Sequence, residues 1–147
     1  MNANPPLILV LNGPNLNRLG RRQPDVYGSA TLDGIAAKLH QHAAELGVAV
    51  DVRQSNHEGH LIDWLHEAED EGARAVILNP GGYGHTSVAL HDAILSVETP
   101  VIVVHITDPA KREAFRHIDL AGDAAARVIK GEGPQGYVTA LDAAALL

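Results

Sequence analysis

Short apolar segments recur along this chain, and stretches with helical patterning separate them. Leu7 to Leu11, Val76 to Leu78 and Val101 to Val104 are continuous apolar runs. Strands buried on both faces read this way. Val48, Val50 and Val52 alternate with polar partners, which predicts a strand nearer the sheet edge. Val128 and Ile129 supply a fifth, shorter candidate. Between them the pattern predicts helices over Thr31 to Leu46, Glu58 to Glu71, Thr86 to Val97 and Gln135 to Leu147. Gly47 and Gly72 stand where C-terminal caps belong. Regular alternation of strand and helix demands a parallel sheet covered on both faces. Five strands in a chain of 147 residues fit one flavodoxin-like, doubly wound α/β domain with strand order 2-1-3-4-5.

That topology locates a site before any motif is considered. Ligands of open α/β sheets bind beyond the carboxyl ends of the strands, where the strand order reverses between strands 1 and 3. Three polar segments fall there: Asn12 to Tyr27, Asn79 to Thr86 and His105 to Asp108. They are expected to converge on one pocket.

Composition narrows the partners. The net charge of −7, with no basic stripe or charge block, argues against nucleic acid and anionic membrane. Aromatic residues make up only 3%, so the core must be built from Ala, Val, Ile and Leu. Cysteine is absent, which removes disulfide and thiolate chemistry. The opening MNANPP has no basic or apolar leader character, and no apolar run approaches membrane-spanning length. A cytoplasmic protein is expected.

The loop NGPNLNRLGRRQPDVYG sets Tyr27 among Arg18, Arg21 and Arg22. An arginine about 4 Å away favours a phenolate by roughly 4 kcal/mol at an effective dielectric near 20. Ionising a phenol of ordinary pKa near 10 at about pH 7 needs a similar amount. One well-placed arginine could therefore make Tyr27 a base.

The second segment, NPGGYGHTS, combines a glycine turn with two candidate helix caps, Thr86 and Ser87. It sets His85 just before the helix, facing the cleft, and the amides at that helix start could hold an anion. In the third, His105 ends the fourth apolar run and could protonate a leaving hydroxyl. The amides of Ile106 and Thr107 could bind a carboxylate. Arg112 and Arg116 in DPAKREAFRHI are one helical turn apart and would share a face, offering an anion or polyol contact.

Other signals are weaker. Gly131-x-Gly133-x-x-Gly136 follows the last strand rather than the first, so it predicts a turn and not a dinucleotide site. His57 and His60 lack the spacing of a zinc-protease helix and are expected near a helix start or on the surface. Ser29 and Ser87 lack a nucleophile-elbow context, and none of Lys38, Lys111 and Lys130 is read at a predicted strand end, so Schiff-base chemistry is not expected.

Taken in order, NGPNLNRLGRRQPDVYG, QSNHEGHLIDWLH, NPGGYGHTS, VHIT with RExFR, and the closing GxGxxGY resemble the type II 3-dehydroquinate dehydratases. The resemblance covers nearly the whole chain. It implies a cofactor-independent hydro-lyase that needs no metal and converts 3-dehydroquinate to 3-dehydroshikimate through an enolate. It implies Tyr27 as base with Arg22 beside it, Asn15 holding the water that polarises the ketone, and His105 as general acid. Asn79, His85 and Arg116 match contacts to the ring hydroxyls, and the Ile106 and Thr107 amides match the carboxylate site. Asp92 matches a residue that reaches a neighbouring subunit's site, within a dodecamer of trimers. Alternatives of another kind are a flavodoxin-like module that binds flavin or phosphate without turnover, and a divergent paralogue. The chain departs from the family pattern at Val103, where a glutamate is usual, at Thr107-Asp108 for Ser-Asn, at Gly84 for threonine and at Asp119 for serine.

Overall fold

A computed structural model of the chain describes residues 4–21, 25 and 30–147. Five strands form one parallel sheet: β1 (Leu7–Asn12), β2 (Ala49–Gln54), β3 (Ala75–Asn79), β4 (Val101–His105) and β5 (Arg127–Lys130). Their order is β2-β1-β3-β4-β5, as expected from the alternation of apolar runs and helical patterns. The helices are α1 (Leu32–Leu46), α2 (Glu58–Asp70), α3 (Tyr83–Thr86), α4 (Val88–Ser96), α5 (Leu120–Ala124) and α6 (Gln135–Ala145).

Side chains of successive strand residues point to opposite faces, and this sorts the core into two layers. Ile8, Val10, Ile77, Ile102 and Val104 pack with Ile35 and Leu39 of α1 and Leu141 of α6. Leu9, Leu11, Val76, Leu78, Val101 and Val103 pack with Leu61 and Leu65 of α2, Leu90 and Ile94 of α4, and Ala121 of α5. Every residue of the central strands β3 and β4 is buried, which is why they read as unbroken apolar runs. The edge strand β2 is only partly covered, which is why its sequence alternates.

The ends of the helices follow their local chemistry. Thr31 accepts a hydrogen bond from the Gly34 amide at the start of α1, and Gly47 closes it in a left-handed conformation with φ 75°. The helix expected over Thr86 to Val97 is instead two. Ser87 adopts extended backbone between α3 and α4, and its hydroxyl accepts from the Leu90 amide at 2.8 Å. The cap that the sequence offered thus ends one helix turn and opens the next. The segment carrying Arg112 and Arg116 also differs from expectation. It forms two separate 3-10 turns, Pro109–Lys111 and Ala114–Arg116, because Pro109 is set at the first position of one and Glu113 breaks the path between them. Helix α5 was not legible as a distinct element, being only five residues long. Gly131 and Gly133, both at positive φ, form the expected turn between β5 and α6, whereas Gly136 already lies in the first turn of α6.

Candidate active site

The three strand-end segments converge, and their described residues surround a cavity of about 490 Å³. After β1 come Pro14, Asn15 and Leu16; after β3 come Gly81, Gly82, Tyr83, His85 and Thr86, with Asn79 at the strand end itself. From β4 onward come His105, Ile106, Thr107, Pro109, Arg112, Phe115 and Arg116. The volume suits a small-molecule ligand. The charged lining side chains are arginines, in a chain whose net charge is −7. The site therefore favours an anion.

Strand register explains how the polar groups arrive there. Asn12 and Asn79 are direct partners at the ends of β1 and β3. Both project toward α6, where Tyr137 is completely buried. The Tyr137 hydroxyl donates to Asn12 Oδ1 at 2.7 Å and accepts from Asn79 Nδ2 at 2.9 Å. Asn79 Oδ1 in turn accepts from the Gly81 amide at 3.2 Å. Burial pushes the Tyr137 phenol far above its ordinary range, against a smaller opposing effect of the Asn79 hydrogen bond. It stays a neutral hydroxyl and fixes the orientation of Asn79, which retains a second amide N–H for a ligand. Sequence reasoning missed this role, although Tyr137 is one of only three tyrosines and closes a glycine-rich motif.

The loops cross closely above this bridge. Gly13 donates its amide to the Asn79 carbonyl at 2.8 Å, and a Cβ on Gly13 would lie 2.4 Å from the Pro80 oxygen. Only glycine fits there. Asn15 opens the next 3-10 turn with φ 70°, a left-handed conformation for which asparagine is well suited. Its amide donates to the Asn56 side chain at 3.0 Å, which ties the loop to the end of β2.

His105 lies on the other face of the sheet, with Val101 and Val103. Its ring stacks on that of His85, with centroids 6.0 Å apart and planes 15° from parallel. The Ile118 carbonyl can only accept, so His85 Nδ1 carries the proton of their 2.8 Å hydrogen bond and Nε2 is left for a ligand. His105 Nε2 is 2.8 Å from Asp119 Oδ2, and only 7% of the His105 side chain is exposed. Burial works to raise the Asp119 carboxyl, but the hydrogen bond and charge of His105, the Gly122 amide and the charge of His85 together hold it below its usual range. Asp119, which in sequence was only a departure from the family pattern, meets the imidazole here.

Other residues fall as follows. Arg116 donates to Glu113 Oε1 at 2.9 Å and stacks over the Phe115 ring at 5.0 Å. Glu113's own backbone amide and then Arg116 hold its carboxyl below the usual range. Asp108 does not line the cavity; its carboxylate accepts from the Ala110 amide and caps the first 3-10 turn. Gly84 is buried, and a Cβ there would lie 2.8 Å from Pro80 and 3.6 Å from the His105 ring. Asp92 is exposed on α4 and does not line the cavity. Arg18 and Arg21 are exposed and do not line it either. Arg22 and Tyr27 lie outside the described residues. His57 stands at the cap of α2 and His60 in its first turn, both exposed, with His60 Nδ1 2.6 Å from the Ser55 hydroxyl.

Comparison with known proteins decides the family. Residues 6–145 match the family described as dehydroquinase class II. The chain belongs to the class II dehydroquinases. It is 54% identical over 137 residues to 3-dehydroquinate dehydratase 1 of Agrobacterium fabrum, covering 93% of this chain and 94% of that protein. It is 55% identical over 139 residues to the 3-dehydroquinate dehydratase of Chelativorans, covering 94% and 95%. The crystal structure of the type II dehydroquinase from Propionibacterium acnes superposes with a TM-score of 0.93 at 42% identity, covering 98% of this chain and 99% of that one. A dehydratase-like protein from Bifidobacterium longum is more distant, with a TM-score of 0.71 at 30% identity and 96% of each chain covered. This dehydroquinase thus shares its fold and nearly its whole length with the family, and neither a flavodoxin-like binding module nor a divergent paralogue is favoured.

Proposed function

We propose that this chain is a 3-dehydroquinate dehydratase, which removes water from 3-dehydroquinate through an enolate to give 3-dehydroshikimate. The observation that carries the reading is the convergence of Asn79, His85, His105 and Arg116 on one arginine-lined cavity sized for a small cyclic acid. The anti elimination needs a base at the carbon beside the ketone, a stabilised enolate and an acid at the hydroxyl β to it. Tyr27, made acidic by Arg22, takes the carbon-bound proton as phenolate. Water held by Asn15 hydrogen-bonds the enolate oxygen, where charge develops. His105 protonates the departing hydroxyl as its C–O bond breaks, and water leaves. The proton taken by Tyr27 returns to His105 through solvent, so the enzyme is regenerated without a cofactor or metal.

The remaining roles concern position. Asn79 Nδ2, His85 Nε2 and Arg116 hold the ring hydroxyls, and the Ile106 and Thr107 amides with the nearby arginines hold the carboxylate. Asp92 reaches the site of a neighbouring subunit, in trimers that assemble into a dodecamer; its exposure on α4 is consistent with that role. The enzyme works in the cytoplasm, in aromatic biosynthesis or quinate catabolism, on a small molecule and without nucleic acid or membrane. Among the described residues no helix is long and apolar enough to cross a membrane. The test is Tyr27→Phe assayed on 3-dehydroquinate. The variant should bind substrate yet form no conjugated enone, and full activity would remove Tyr27 as the base.

A further inference from the structure

We propose that Asp119 is the positioning residue of the His105 acid, holding a proton on Nε2 so that Nδ1 is the nitrogen that gives a proton to the departing hydroxyl. The proposal rests on the dehydratase reading. Its basis is the geometry around one carboxylate. Asp119 Oδ2 is 2.8 Å from His105 Nε2, and Asp119 Oδ1 accepts from the Gly122 amide at 2.9 Å. Both oxygens are thereby fixed, and an ionised carboxylate can only accept, so Nε2–H is the donor. The strand itself offers His105 no such partner. Val103, two residues earlier on the same face, is fully buried among apolar side chains.

The chain around Asp119 is fastened on both sides. His85 Nδ1–H donates to the Ile118 carbonyl at 2.8 Å, and His91 Nδ1–H donates to the Leu120 carbonyl at 2.6 Å. Two histidines of the neighbouring helices α3 and α4 thus hold the residues that flank Asp119. Gly122 supplies the necessary space, since a Cβ there would lie 2.2 Å from Asp119 Oδ2. A helix cap alone would not require that clearance together with a buried histidine on the second oxygen. The arrangement is that of a carboxylate fixing the tautomer and plane of a catalytic imidazole.

Asp119→Asn separates this role from capping, because asparagine caps a helix about as well as aspartate. With 3-dehydroquinate in deuterated water, the wild type should show turnover. In Asp119→Asn we expect kcat to fall by about tenfold or more while KM changes less than about threefold. Base and acid steps should also separate. Unreacted substrate should gain solvent deuterium beside the ketone, because Tyr27 still forms the enolate while elimination lags. Gly122→Ala, which displaces the carboxylate, should reproduce the split, and ring ¹⁵N shifts should show the Nε2-protonated tautomer of neutral His105 lost in Asp119→Leu. Unchanged kcat in Asp119→Asn, or exchange and elimination falling in parallel, overturns the proposal while leaving the dehydratase reading intact. No turnover by the folded wild type overturns that reading and this proposal with it.

Discussion

Replacing Tyr137 by phenylalanine removes one oxygen atom and should cost this protein far more than a surface hydroxyl would. The ring remains, so its packing against the α1 and α6 layer is preserved. What is lost is the bridge between Asn12 Oδ1 and Asn79 Nδ2, at 2.7 and 2.9 Å. Asn12 is wholly buried and Asn79 is 4% exposed, so water does not replace the lost partner. An unsatisfied buried polar group costs about 1–3 kcal/mol, and two such groups give roughly 2–6 kcal/mol. Asn12 keeps its donation to the Arg53 carbonyl and Asn79 its acceptance from Gly81, which favours the lower half of that range. At roughly 2–4 °C per kcal/mol for a domain of this size, the melting temperature should fall by about 5–10 °C. Asn79 loses its tether as well, so KM for 3-dehydroquinate should rise more than kcat falls. Thermal unfolding and steady-state kinetics on the same preparation measure both. A melting temperature within about 1 °C of wild type would refute the claim that this bridge orders the floor of the site.

Three further outcomes follow from the same geometry. Gly13→Ala places a methyl 2.4 Å from the Pro80 oxygen and should destabilise the fold by at least about 1–3 kcal/mol, read by denaturant titration. His42 hydrogen-bonds Asp142 at 2.6 Å, which raises its pKa; a raised histidine pKa adds stability that is full below the unfolded value near 6.5 and lost as pH rises through the folded value. The stability gap between wild type and His42→Ala, read by denaturant titration, should therefore be larger near about pH 6 than near about pH 8.5, and at most about 1 kcal/mol in size because the pair is exposed. Arg116→Gln should raise KM for 3-dehydroquinate by about tenfold or more, the loss of a charge-assisted hydrogen bond, with little change in melting temperature.

The sheet order was legible because burial leaves a direct signature. Central strands such as β4 must be apolar on both faces, and β2 at the edge need not be. The convergence of the three strand-end segments followed from that order alone. Less was visible where structure depends on contacts between distant residues. Asp119 stands fourteen positions beyond His105 in an irregular stretch, so no periodicity linked the two. Tyr137 reaches Asn12 across 125 positions, through the packing of α6 on the sheet. Arg112 and Arg116 have helical spacing, yet Pro109 and Glu113 divide their segment into two short turns. Both still reach the cavity, because the turns follow β4 directly. At Asp108 the local role won: its carboxylate caps a turn rather than entering the site.

The central claim is catalytic, and one addition tests it. Purified protein mixed with 3-dehydroquinate should produce the ultraviolet absorbance of the conjugated enone of 3-dehydroshikimate, at a rate proportional to enzyme concentration and without added metal or cofactor. A correctly folded preparation that yields no enone at saturating 3-dehydroquinate would contradict the account.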